Sequence, residues 1–104
     1  MILVTVMYPN QDGSKFDMDY YLNSHLALVA EKWGGMGLNG ARIVKGVSGG
    51  EPGSAPPYQV MAVVEFESAE AFQSAVAEHG AEIFGDIPNF TDVQPTVQIS
   101  DIVA

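Results

Sequence analysis

Two segments of this chain read as β-strands that are apolar on both faces, and no other feature constrains the fold as tightly. In residues 2–8, Ile2, Val4 and Val6 share one side and Leu3 and Met7 the other, with only Thr5 polar. In residues 58–66, Val60, Ala62, Val64 and Phe66 oppose Met61 and Val63. An antiparallel strand with one wet face alternates apolar and polar residues. A sheet built on these two strands therefore needs cover on both sides.

The remaining sequence supplies helices for one side. A first helix is expected over residues 17–33. Asp17 can cap its free amides, and Phe16 can staple against Tyr21. At about 100° per residue, Met18, Leu22, Leu26, Val29 and Trp33 fall on one face. Glycines at 34, 35, 37 and 40 end this helix, and residues 41–47 form a second strand. Residues 48–57 are too rich in Gly and Pro for regular structure. After the third strand, Ser68 caps a second helix that ends at His79 and Gly80, with residues 81–84 adding a further turn. Residues 86–89 lead out of it, and residues 96–103 form the last strand. The order β-α-β-β-α-β defines an α+β, ferredoxin-like domain over residues 1–104, with both helices on one face of an antiparallel sheet. The simplest cover for the other face is a second copy, so a homodimer with its sheets face to face is expected.

Charge and composition remove several functional classes. The chain carries 13 acidic and 4 basic residues, a net charge of −9. Lys15, Lys32, Arg42 and Lys45 cannot neutralise a phosphate backbone, so no nucleic acid and no anionic membrane surface is expected as partner. The absence of cysteine excludes disulfides, thiolate nucleophiles, Cys-ligated zinc and Fe–S clusters. Two histidines without H-x-x-x-H spacing argue against a metal site, and no dinucleotide or phosphate-loop fingerprint occurs. No apolar run approaches the ~20 residues that span a bilayer. Residues 1–6 lack a basic leader and read as the first strand, so a cytoplasmic location is expected.

His25 is the residue with chemical potential. It lies within the apolar stripe of the first helix, roughly 60° from Leu22, with Tyr21 one turn earlier. A buried imidazole must find a hydrogen-bond partner or be held neutral. Two readings follow: a structural group bonded to backbone or tyrosine, or a general base facing a pocket between helix and sheet. Tyr20 points away from the stripe, toward the surface or a subunit contact. His79, in line with Phe72 and Val76, suits the negative end of the second helix. Asp17 and Asp19 fit the positive end of the first and need not form a catalytic pair. Spacing alone gives an acidic dimer with one notable histidine and no reaction.

Three stretches add more: residues 4–9 (VTVMYP), 16–26 (FDMDYYLNSHL) and 86–95 (DIPNFTDVQP). Together, and in this order, they resemble the EthD family, whose name comes from ethyl tert-butyl ether degradation. The resemblance implies a dimeric α/β barrel with His25 beside a pocket between helices and sheet. Relatives in that superfamily include cofactor-free monooxygenases, polyketide cyclases or dehydratases, isomerases and haem binders. The resulting expectation is an oxidoreductase without a bound cofactor, or an accessory to a degradative oxidation, acting on a small apolar or aromatic molecule. His25 would shuttle a proton and Tyr21 would assist it. Leu22, Phe72 and Phe84 would shape the pocket, and Phe90 would close its mouth. The alternatives are a non-catalytic small-molecule binder or oxygenase accessory, a polyketide cyclase-like enzyme, and a haem protein with His25 as axial ligand.

Overall fold

A computed structural model describes residues 1–104. Four strands, β1 (Ile2–Pro9), β2 (Leu38–Lys45), β3 (Tyr58–Phe66) and β4 (Thr96–Asp101), form one antiparallel sheet in the order β2-β3-β1-β4. Two helices lie on one side of it, giving the ferredoxin-like α+β fold expected from the element order.

The register decides what each face carries. Val4 pairs with Val64, Val6 with Ala62, Tyr8 with Val60, and Ile43 with Ala62. Cross-strand partners point to the same side, so these residues form one apolar layer beneath the helices. Leu3, Met7, Met61, Val63 and Val44 point to the opposite side, where this chain offers no cover. The slab measures 40 × 35 × 19 Å, the thickness of one sheet and one helical layer.

The first helix spans residues 18–33, and its start matches expectation. The Asp17 carboxylate accepts a hydrogen bond from the Tyr20 amide at 3.0 Å, and the Phe16 and Tyr21 rings meet at 5.1 Å. Its middle differs. Residues Tyr21–His25 form a π-helical turn between α-helical Met18–Tyr20 and Leu26–Trp33, with the Leu26 amide bonded to the Tyr21 carbonyl. A π-turn takes an extra residue per turn. The inward face therefore runs through Tyr21, His25, Val29 and Trp33, and Leu22 turns outward with 46% of its surface exposed.

The second helix (Ala69–Gly85) begins as expected, with Ser68 accepting from the Ala71 amide at 3.0 Å, but it does not stop at Gly80. Ile83 beyond it is only 3% exposed. Burying that side chain outweighs the ~1 kcal/mol that a helical glycine costs. His79 consequently lies inside the helix rather than at its negative end, and its Nδ1 meets Glu82 Oε1 at 3.1 Å.

The core divides into two clusters. One gathers Trp33, Phe66, Phe72, Ala75 and Ile83 with the β1 and β3 valines. The other gathers Tyr8, Tyr21, Val60, Ile87, Phe90 and Val93.

Candidate functional site

The site is assembled where the segment after the second helix returns to the start of the first. The Asp17 amide donates to the Phe90 carbonyl at 2.7 Å, and the Thr91 hydroxyl donates to the Lys15 carbonyl at 2.6 Å. The Lys15 amide donates to Asp92 Oδ1 at 2.9 Å. These bonds bring residues 86–92 against residues 15–25, two stretches far apart in the chain.

Asp86 is the centre of that junction. Its Oδ2 accepts from His25 Nδ1 at 2.9 Å. Its Oδ1 accepts from the Tyr20 hydroxyl at 2.7 Å and from Asn89 Nδ2 at 2.9 Å. Burial pushes the Asp86 carboxyl up, but the bonds from Tyr20, Asn89 and His25 outweigh it and hold the group below the usual carboxylate range. An ionised carboxylate only accepts hydrogen bonds, so Nδ1 carries the hydrogen. Nε2 is then the basic nitrogen of the ring.

Rings fix the imidazole from both sides. Tyr21 stacks on it at 5.5 Å and 17°, and Phe90 lies at 4.7 Å on another side. His25 is 5% exposed, and it lines a cavity of about 60 Å³ between helices and sheet. Of the 17 lining residues, 16 are hydrophobic, and His25 is the exception.

Of the site residues expected from sequence, four line this cavity: His25, Tyr21, Phe72 and Phe84. Leu22 does not, because the π-turn rotates it outward. Phe90 does not close a mouth either. It is 3% exposed and backs the His25 ring from outside the cavity, where it also meets Tyr21 at 5.0 Å. Tyr20 is half-buried and holds Asp86 instead of standing free at the surface.

Sequence reasoning assigned no role to Asp86, Asn89 or Tyr8. Asp86 carried a signal that was legible: it follows the last helical turn, where a negative charge faces the negative end of the helix dipole. Such a residue needs donors, and here it has three. Tyr8 lines the cavity too and is 1% exposed, as is Tyr21.

The fold and this site define a ferredoxin-like α+β domain with an aspartate–histidine pair beside a helix–sheet cavity. No protein-family model matches the sequence, and no curated protein matches it. Among solved structures, an EthD-like protein from Ralstonia eutropha JMP134 is 40% identical. That match covers 99% of this chain and 92% of that one, with a TM-score of 0.92. An ethyl tert-butyl ether degradation (EthD) family protein from Bacillus halodurans C-125 is 18% identical over 99% of both chains, with a TM-score of 0.75. A variant of MhuD, with two manganese protoporphyrin IX molecules bound per active site, shares 17% identity and a TM-score of 0.58, over 99% of this chain and 94% of that one. The last two show likeness of fold alone. The chain belongs to the EthD family.

Proposed function

We propose that this protein is a cofactor-free enzyme that removes a proton from a small apolar or aromatic organic molecule, with His25 as the proton shuttle. The observation that carries this reading is the Asp86–His25 pair, whose histidine lines an apolar cavity and whose second nitrogen, Nε2, has no partner in the protein. Asp86 orients the ring and keeps the hydrogen on Nδ1, which leaves Nε2 free to take a proton. Tyr20 and Asn89 position Asp86. Tyr21 stays a neutral hydrogen-bond donor, because burial pushes its phenol up to about 12. Phe72 and Phe84 shape the apolar wall. We place the enzyme among cofactor-free oxidoreductases of the cytoplasm, in which the deprotonated, electron-rich substrate itself meets dioxygen as the oxidant. Turnover of a panel of small ketones, phenols and ethers tests it. His25→Ala should lower the rate roughly 10²–10⁴-fold, and an unchanged rate removes His25 from the chemistry.

A non-catalytic binding or oxygenase-accessory role is the second reading, and the cavity size favours its accessory form, which needs no substrate inside the protein. About 60 Å³ is small beside the ~300–1,000 Å³ of ordinary ligand pockets. Binding kept within about twofold in His25→Gln, with no turnover in either form, would support it. A haem on His25 does not fit the residues present. His25 lines that small cavity, and Tyr21 and Phe90 pack against the ring.

We further propose that two copies associate through the uncovered sheet face bearing Leu3, Met7, Met61 and Val63. The support is that face's apolar content on the two central strands. Sedimentation at micromolar concentration should give a dimer, and Val63→Glu should give monomers. A dimer that survives the substitution places the contact elsewhere.

A further inference from the structure

We propose that the cavity takes an enolisable carbonyl compound: its carbonyl oxygen accepts hydrogen bonds from the Tyr8 and Tyr21 hydroxyls, and an α-carbon–hydrogen bond faces His25 Nε2. The part concerning the proton rests on His25 acting as a base; the oxygen-binding part stands on the two phenols.

Tyr8 and Tyr21 are each 1% exposed, yet neither hydroxyl bonds to any protein group. No polar side-chain atom in the protein is both sealed off and unpartnered, so both hydroxyls keep contact with open space, and both rings line the cavity. Their centroids lie 5.9 Å apart, and Tyr21 stacks on His25 at 5.5 Å. The residues lining this apolar cavity thus carry three polar atoms without protein partners: two O–H donors and one basic nitrogen. Burying a hydroxyl without a partner is unfavourable. Leaving two of them in one cavity is accounted for by a ligand oxygen that completes them.

The cavity also selects against charge. No lysine, arginine or carboxylate lines it, and Asp86 is on the far side of the imidazole. A bound carboxylate or phosphate would be desolvated without a counter-charge. A hydrocarbon would leave both phenols unsatisfied. A neutral ketone or enone satisfies them and leaves a C–H bond for Nε2.

The step balances as a proton transfer. The α-C–H bond breaks as an N–H bond forms at Nε2. The C–H electron pair moves into the new C=C bond, and the carbonyl π pair moves onto oxygen. The enolate oxygen is then held by two phenols kept neutral, Tyr21 at about 12 and Tyr8 raised further by burial and by Tyr21. Both bonds strengthen as the oxygen gains charge, which lowers the barrier more than it tightens ground-state binding. Where dioxygen does not intercept the enolate, return of the proton from Nε2 to the same or another carbon closes a redox-neutral cycle. Val6, Leu26, Val29, Ile43 and Phe84, only partly buried, are the lining side chains with room to yield as a ring enters.

Phenol and 4-nitrophenol mimic the enolate oxygen on an apolar ring, and toluene matches phenol in shape without it. Calorimetric titration of the purified protein should show phenol binding at least tenfold tighter than toluene, and 4-nitrophenol tighter again. Tyr8→Phe and Tyr21→Phe should each weaken both phenols at least fivefold and leave toluene unchanged. Because each change removes only an unpartnered oxygen, both variants should melt at or above the parent. A fall beyond about 5 °C would mean that the hydroxyl has a structural partner and would overturn the proposal. So would phenol binding no better than toluene, Phe variants that weaken all three equally, or no binding of any probe. Deuterium uptake by cyclopentanone in heavy water separates the two readings. His25→Gln should abolish it while keeping the preference for phenol over toluene. Uptake unaffected by His25→Gln, with that preference intact, overturns the proton step and leaves a carbonyl-binding site.

Discussion

The two ends of the helix–sheet layer are built from similar materials and behave differently. At one end Trp33 lies between Phe66 and Phe72, with centroids at 5.6 and 5.7 Å. Its one polar atom, Nε1, donates to the Ala75 carbonyl at 2.9 Å. At the other end Tyr8, Tyr21, Phe16 and Phe90 pack edge to face at 5.0 to 5.9 Å, a comparable aromatic cluster. There, however, two phenols and an imidazole nitrogen are left without protein partners. Packing accounts for both ends, but completed hydrogen bonding accounts for only one. The Trp33 end tells what holds the protein together, and the Tyr8–Tyr21–His25 end is where the proposed ligand would complete it.

Substitutions can set these ends against each other. Trp33→Ala should cost the most stability, about 3–5 kcal/mol, read from urea unfolding. A loss under about 1 kcal/mol would mean that the two ends are equally loose. Trp33→Phe should cost about 1–2 kcal/mol through the lost indole bond and volume, whereas Tyr21→Phe should cost nothing measurable. If these two single-group changes cost the same, the contrast fails. Asp86→Asn should act through pH. The native carboxyl is held below its ordinary range, so its contribution is fully present above its unfolded value, near 4, and fades as pH falls through the lower folded value. Unfolding curves at pH 7 and pH 3 should show the parent losing more stability on acidification than Asp86→Asn; parallel losses would show that Asp86 is not stabilised in the fold. Lys32→Ala should have the smallest effect. Lys32 meets Glu82 at 3.3 Å on the helix surface, where ion pairs contribute little. A melting point indistinguishable from the parent is expected, and a large drop would move part of the fold's stability to that surface.

The strands, the helix cap and the aromatic staple were all legible in the sequence, because each depends on residues close in the chain or on a period-two pattern. The two-faced strands pointed to a sheet with one uncovered side for the same reason. Errors arose where the local period changed or distant segments met. The α-helical spacing placed Leu22 inside, whereas the π-turn replaces it with Tyr21. Gly80 looked like a stop, but burial of Ile83 carried the helix past it. Asp86 received no role because its donors come from Tyr20 and His25, more than sixty residues earlier. Phe90 was assigned to the right neighbourhood and the wrong side of the imidazole, a distinction that only the tertiary junction decides.

The π-turn at Tyr21–His25 works as a phase shifter between the two halves of one rod. The Trp33 half must key into the sheet, and the Tyr21 half must key into the 86–92 segment. A uniform α-helix could not satisfy both keys with this spacing. Removing a single residue from positions 22–24 would restore the regular ladder and give a straighter rod. It would also turn the cap, the staple and Tyr21 by about 100° against the Trp33 half. Insertions and deletions should therefore be tolerated in the loops and forbidden there, on a helix surface whose side chains touch nothing of the site.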